Sequence, residues 1–160
     1  MREAEYSQAL KLGHVGEMIA FDQDEESLSL VNEAYGQYGV KTIQGSVRHL
    51  LAGKKTFHDF DFDFVYAAGL YDYLTAPIGT RLVNIMFDSL RPGGKMLIAN
   101  FAHNIPDVGY MESYMDWWLI YRNEQEMRDL FKEIPQGKCS PVETFTDPLN
   151  NIIFAMVTKI

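Results

Sequence analysis

The run Leu90-Arg91-Pro92-Gly93-Gly94-Lys95-Met96-Leu97-Ile98-Ala99-Asn100 constrains this chain more than any other stretch. Ahead of it, Leu82, Val83, Met86, Phe87 and Leu90 recur at the three- and four-residue steps of an amphipathic helix. Pro92-Gly93-Gly94 stops that helix, because proline has no N–H to donate and glycine resists the helical state. Residues 95–100 then read as a strand with the apolar character of a buried position. A helix that feeds straight into a buried strand is half of a parallel crossover, which points to an α/β architecture.

The same alternation runs on both sides of it. Residues 2–12 read as a helix closed by Gly13, with Tyr6, Ala9 and Leu10 on one face. Glu17 to Phe21 follows as a strand, and Asp24 caps a helix carrying Leu28, Val31, Tyr35 and Tyr38 up to Gly39. Lys41 to Gln44 reads as a strand, Ser46 to Leu51 as a short helix and Phe62 to Ala67 as a buried parallel strand. Gly109 to Tyr121 is aromatic-rich; a helix opens at Asn123, where Asn123 and Glu126 have capping-box spacing, and Met127, Leu130, Phe131 and Ile134 form its inner stripe. Two β-like runs, 139–145 and 152–159, flank the turn-forming Asp147-Pro148-Leu149-Asn150-Asn151. This order predicts one α/β domain over residues 1–160, a mostly parallel sheet ending in an antiparallel hairpin.

Charge and composition narrow the function. A net charge of −8 with 14 scattered Lys and Arg argues against nucleic acid and anionic membrane surfaces, both of which need a basic face. No apolar stretch is long enough to span a bilayer and no signal core opens the chain. The single Cys139 excludes an internal disulfide and suits a reducing, cytoplasmic setting. No His, Cys and carboxylate cluster has metal-ligand spacing, and there is no nucleophile elbow or phosphate-binding loop.

The Leu90–Asn100 run, the acidic strand end Ile19-Ala20-Phe21-Asp22 and the strand Phe62-Asp63-Phe64-Val65-Tyr66-Ala67 together resemble the class I S-adenosylmethionine-dependent methyltransferases over nearly the whole chain. The resemblance implies a Rossmann-like fold and S-adenosylmethionine as cofactor. It implies that Asp22 accepts hydrogen bonds from the ribose hydroxyls and that Gln23 lies against the adenine. Gly45-Ser46-Val47 matches the turn after the family's third strand, where an acid meets the adenine amino group; Ser46 stands in its place, with Val47 lending a backbone amide. Each of these has a local alternative: Asp22 belongs to an acidic helix start with Asp24, Glu25 and Glu26, and Ser46 is a plain N-cap.

Ala67-Ala68-Gly69-Leu70-Tyr71-Asp72-Tyr73-Leu74 resembles the segment that passes the cofactor's sulfonium and opens the acceptor pocket. Small residues there, Gly69 among them, let the backbone approach a ligand, or simply pack strand on helix. Tyr71, Asp72 and Tyr73 can face a cation through ring faces and charge. Asn100-Phe101-Ala102-His103-Asn104 ends the next strand on the same rim, with His103 either a general base or a solvated loop residue. Tyr110, Met115 and Trp117 belong to the run Tyr110 to Arg122, whose aromatics and methionines either pack on the sheet or wall an apolar pocket. With Asp72-Tyr73-Leu74 and Asn100-Phe101, this run is similar to a bacterial branch that converts hydroxy fatty acids to signalling methyl esters, implying a small apolar or fatty carboxylic acid acceptor.

The family's first strand and G-x-G-x-G loop belong ahead of the helix at 2–12, and the sequence holds neither. The expectation is therefore an N-terminally truncated domain with weak or absent S-adenosylmethionine binding and doubtful activity. The vacated strand position favours a homo-oligomer such as a homodimer. The alternative is a non-catalytic binding or self-association module built on the same scaffold.

Overall fold

The computed structural model describes residues 2–55, 57, 60–103 and 105–160; Asn104, quoted above in the loop after the Lys95–Asn100 strand, lies outside the described residues. The chain forms two compact units, Met1–Lys55 and Thr56–Ile160, each taken by itself below.

In the first unit, α1 (Arg2–Tyr6) and α2 (Gln8–Lys11) replace the single expected helix. Ser7 breaks it: its backbone is extended, and its hydroxyl accepts the Leu10 amide to start α2 afresh. Gly13, at φ 71°, closes α2 as expected. β1 (Met18–Asp22) is followed by α3 (Glu25–Tyr35), a 3₁₀ turn over Gly36–Tyr38 and β2 (Val40–Gln44). β1 and β2 pair in parallel, Met18 opposite Val40 through Asp22 opposite Gln44. α3 lies against both strands, and Ala4, Leu10, Ala20, Leu28 and Val40 form the small core. α4 (Val47–Leu51) follows, with Ser46 as its N-cap.

The second unit holds β3 (Phe62–Ala67), a 3₁₀ turn over Tyr71–Tyr73, α5 (Ala76–Asp88), β4 (Leu90–Phe101), α6 (Val108–Ser113), α7 (Glu124–Asp129), β5 (Glu143–Thr146) and β6 (Ile152–Thr158). Its sheet runs β3-β4-β6-β5, with β3 parallel to β4 and the last two strands an antiparallel hairpin. α5 covers β4, and Leu82, Val83, Leu90, Met96, Ile98, Met127, Leu130 and Val157 are fully or nearly buried.

In the second unit the start of β4, the end of α7 and the extent of the hairpin differ from the sequence reading. β4 begins at Leu90 rather than Lys95, because Phe62 pairs with Leu90 and then, after a register shift, Phe64 pairs with Lys95. The Pro92-Gly93-Gly94 turn is thus a bulge within the strand, with Gly93 donating to the Lys159 carbonyl at 2.8 Å. A Cβ on Gly94 would fall 2.7 Å from the Phe62 carbonyl oxygen, so that crossing admits only glycine. The helix after Asn123 ends at Asp129, yet Leu130, Phe131 and Ile134 still bury in the turns beyond it. The hairpin is shorter than expected, since Pro141 cannot extend the ladder; only a bridge between Cys139 and Lys159 continues it.

Candidate functional site

At the carboxyl end of the first unit's sheet, β1 and β2 finish side by side and Asp22 faces Gln44 in register. The Gly45 amide donates to the Asp22 carbonyl at 2.8 Å, which turns the chain immediately after β2. A Cβ on Gly45 would press within 2.7 Å of the Phe21 ring. The acidic cluster separates into distinct tasks. Asp24 caps α3 with its carboxylate, taking the Glu26 and Ser27 amides at 3.2 Å each and the Ser27 hydroxyl. The Ser27 hydroxyl, chiefly, and these amides hold that carboxyl below the usual aspartate range. Asp22 is exposed and takes only the Asp24 amide, at 3.0 Å on Oδ1. Its Oδ2 is unengaged among the described residues. Gln23 is exposed, its carbonyl accepting from Gln44 Nε2 at 3.4 Å. Ser46 uses its hydroxyl to cap α4 through the His49 amide at 3.3 Å, and Val47 opens that helix.

The carboxyl ends of β3 and β4 in the second unit are built differently. Gly69, exposed and at φ 79°, turns the chain after β3. Tyr71, Asp72 and Asn100 are buried, so they form the floor of the rim rather than its surface. Tyr71 packs inward, its hydroxyl against Met86 Sδ at 3.5 Å, and burial drives its pKa far above the ordinary tyrosine value. Asp72 Oδ1 accepts the Phe101 amide at 2.7 Å, and the Asp72 carbonyl accepts the Ile120 amide at 2.8 Å. Burial pushes the Asp72 carboxyl up, against the Phe101 bond and the nearby Arg122 charge. Asn100 Nδ2 donates to the Ile120 carbonyl at 2.8 Å. Arg122, 3% exposed, donates to the Tyr71 carbonyl at 2.7 Å and also to the Leu74 carbonyl and Asn100 Oδ1.

Above that floor, Trp117 Nε1 donates to the Tyr73 hydroxyl at 2.6 Å and Phe101 meets the Trp117 ring edge-on at 5.9 Å. The loops after β3 and β4 and the segment 114–122 therefore share one edge of this sheet. Tyr110 stacks on Tyr114 at 5.1 Å, and Tyr114, Met115 and Trp118 are exposed, Tyr114 by 78%. His103 stands apart: its Nε2 lies 2.8 Å from Glu126 Oε2, and it lines a groove of about 430 Å³ with Ala102, Pro106, Asn123, Thr146 and Asn150. Of the expected rim, Tyr73 and Trp117 meet directly, whereas His103 pairs with Glu126 and lines a groove to which Tyr73 and Trp117 do not contribute.

Two residues with structural weight here, Arg122 and Glu126, stood outside the candidates drawn from sequence. Arg122 is a lone cation at the end of an aromatic run, which is the composition that demands buried acceptors. Glu126 serves twice, closing the capping box on Asn123 and holding His103; the Asn123 amide, chiefly, keeps its carboxyl below the usual glutamate range. Among the described residues no helix is long and apolar enough to cross a membrane, and no group of three or more His, Cys, Asp or Glu is placed to hold a metal ion.

No protein-family model and no curated protein matches the chain. Solved structures do. The apo form of the S-adenosylmethionine-dependent methyltransferase SibL is 13% identical at a TM-score of 0.66, covering 94% of this chain and 46% of its own. The N-methyltransferase NodS from Bradyrhizobium japonicum, in complex with S-adenosylhomocysteine, is 12% identical at 0.61, covering 94% and 71%. A Bordetella parapertussis protein described only as a possible exported protein is 14% identical at 0.70, covering 89% and 53%. The chain spans about half the length of the first and third. The likeness shows the fold, which is the Rossmann-like α/β fold of class I methyltransferases.

Proposed function

We propose that this chain takes part in S-adenosylmethionine-dependent methyl transfer, with the first unit receiving the adenosine end of the cofactor and the second unit receiving a small apolar or fatty carboxylic acid. The observation that carries the reading is Asp22. It ends a parallel strand, faces solvent and keeps one carboxylate oxygen unengaged, while Asp24 alone caps the adjacent helix. A carboxylate at that place fits a ribose, since it accepts two hydroxyl protons at once. Gln23, Ser46 and Val47 flank it on the same two strand ends, within reach of a base, and Gly69 turns the chain beside the acceptor residues.

The cofactor supplies an electrophilic methyl group carried on a sulfonium. On the second unit, Tyr73 and Trp117 offer an apolar wall with a polar edge, and the exposed Tyr110 and Met115 belong to the segment that carries Trp117, a composition that suits an acyl chain and its carboxylate. Tyr71, Asp72 and Asn100 act from beneath, holding that wall in place. A carboxylate is already ionised at neutral pH, so these residues need to align it and exclude water rather than remove a proton. Because the 160 residues hold no G-x-G-x-G loop, the adenosine contacts alone bind weakly.

The test is a backbone NMR titration of the chain with S-adenosylhomocysteine and, separately, with a medium-chain hydroxy fatty acid. The reading expects the first to move the amides of residues 22–23 and 45–47 and the second to move those of Tyr73 and Trp117. Shifts confined to other residues, or none at millimolar ligand, contradict it. The exposed Tyr114, Met115 and Trp118 favour self-association as a companion property. Light scattering across a concentration series is expected to show growth in mass, and a monomer at all concentrations removes that part.

A further inference from the structure

We propose that Arg122 is a positioning residue whose buried guanidinium fixes the Tyr73–Trp117 pair over the carboxyl end of β4. Three facts converge on it. Its Nη1 donates to the Tyr71 carbonyl and to Asn100 Oδ1 while its Nη2 donates to the Leu74 carbonyl, so one side chain grips both ends of the turn that carries Tyr73. Its own amide donates to the Phe101 carbonyl at 3.0 Å, which binds the end of the 114–122 segment to β4. Asp72 and Asn100 complete the lattice, taking the Ile120 amide and giving to the Ile120 carbonyl, each at 2.8 Å.

Tyr73 and Trp117 are 44 residues apart and meet through a single 2.6 Å bond between two side chains, one of them exposed. A bond of that kind is weak by itself, and it forms because the backbones on either side are already in place. The fork suits arginine: Nη1 and Nη2 reach the three acceptors from two fixed points, whereas a lysine ammonium would have to reach all of them from one. The local consequence is a rigid aromatic wall, and its use as an acceptor wall rests on the methyl-transfer reading above.

Replacing Trp118 by Phe leaves Trp117 as the sole tryptophan and makes its emission a direct report on the pair. In that background, and well below the unfolding transition, Arg122→Lys is expected to shift Trp117 emission to the red and to raise its quenching by acrylamide as much as Tyr73→Phe does. The double variant is expected to show no more than either single change, because both break the same contact. Unchanged emission in a folded Arg122→Lys protein overturns the proposal, and so do two effects that add. Should Arg122→Lys fail to fold, Asn100→Ala removes one of the three acceptors; a smaller red shift supports the clamp and an unshifted spectrum overturns it. Emission needs no bound ligand, so the clamp fails on this measurement, and the methyl-transfer reading fails on S-adenosylhomocysteine titration of the unmodified chain.

Discussion

The carboxyl end of the β1–β2 pair and the carboxyl end of the β3–β4 pair are the same topological feature built by opposite means. In the first unit Asp22 is exposed and Ser46 half-buried, and their side-chain bonds are local: Asp22 to the amide two residues on, Ser46 to the amide three residues on. In the second unit Tyr71, Asp72, Asn100 and Arg122 are buried beneath the exposed Tyr73, and the bonds reach across 29 residues from Asp72 to Phe101 and 51 from Tyr71 to Arg122. Exposed carboxylates with a vacant oxygen are available to a ligand at little cost to the fold. Buried donors and acceptors that satisfy one another define a shape instead, since each would be costly unpaired. The difference teaches that one rim offers chemistry directly, whereas the other offers a wall whose chemistry depends on a network beneath it.

The largest break in this contrast is expected from Arg122→Met. It strands two buried acceptors, the Leu74 carbonyl and Asn100 Oδ1, while the Tyr71 carbonyl keeps the Leu74 amide; at about 1–3 kcal/mol each, urea unfolding is expected to show a loss of about 2 kcal/mol or more. Asp72→Ala comes next, about 1–3 kcal/mol for the orphaned Phe101 amide. Asp72→Asn separates charge from shape. Burial raises the folded-state pKa of Asp72 above its unfolded value. Below the ordinary aspartate value both states hold the proton and ionisation costs nothing; as pH rises through the window between the two values, the unfolded state ionises first and stability is lost. The advantage of Asp72→Asn over the parent chain, read from thermal midpoints, is therefore expected to grow as pH climbs out of the aspartate range and then level off. An advantage that shrinks with rising pH would place the Asp72 charge in a favourable setting and blur the contrast. In the first unit Ser46→Ala and Asp24→Ala are each expected to cost about 1 kcal/mol as lost helix caps. Asp22→Ala is expected to change stability by no more than about 0.5 kcal/mol, as for an exposed residue outside any network.

The same contrast governs what was legible in the sequence. Asp24 as a cap, Ser46 as an N-cap, the Asn123 and Glu126 capping box and the bounds of β3 all follow from signals within a few residues, and all are present. Leu90 looked helical by its spacing, yet it enters the sheet because Phe62, far away in sequence, pairs with it there. Ser7 interrupts the first helix because a hydroxyl that can cap a new turn competes with continuing the old one. Grouping Tyr73 with Trp117 followed from topology, since loops that leave neighbouring parallel strands share an edge. What the pattern left out was depth. Tyr71, Asp72 and Asn100, lining residues by their place at the strand ends, are the buried floor, and the sequence marks Arg122 only as a lone cation after an aromatic run, its acceptors lying 22 to 51 residues distant. His103 pairs with Glu126, a partner 23 residues on that the sequence marks only as part of a helix cap.

We propose that Asp22 is kept for a ligand rather than for the fold, and calorimetric titration of S-adenosylhomocysteine into the parent chain and into Asp22→Ala separates the two roles. Weak binding to the parent chain is expected, with an affinity lower by about tenfold or more in the variant for the loss of a charged hydrogen-bond acceptor and with the two proteins equally stable. Equal heats in the two proteins, whether both bind or neither does, would contradict it.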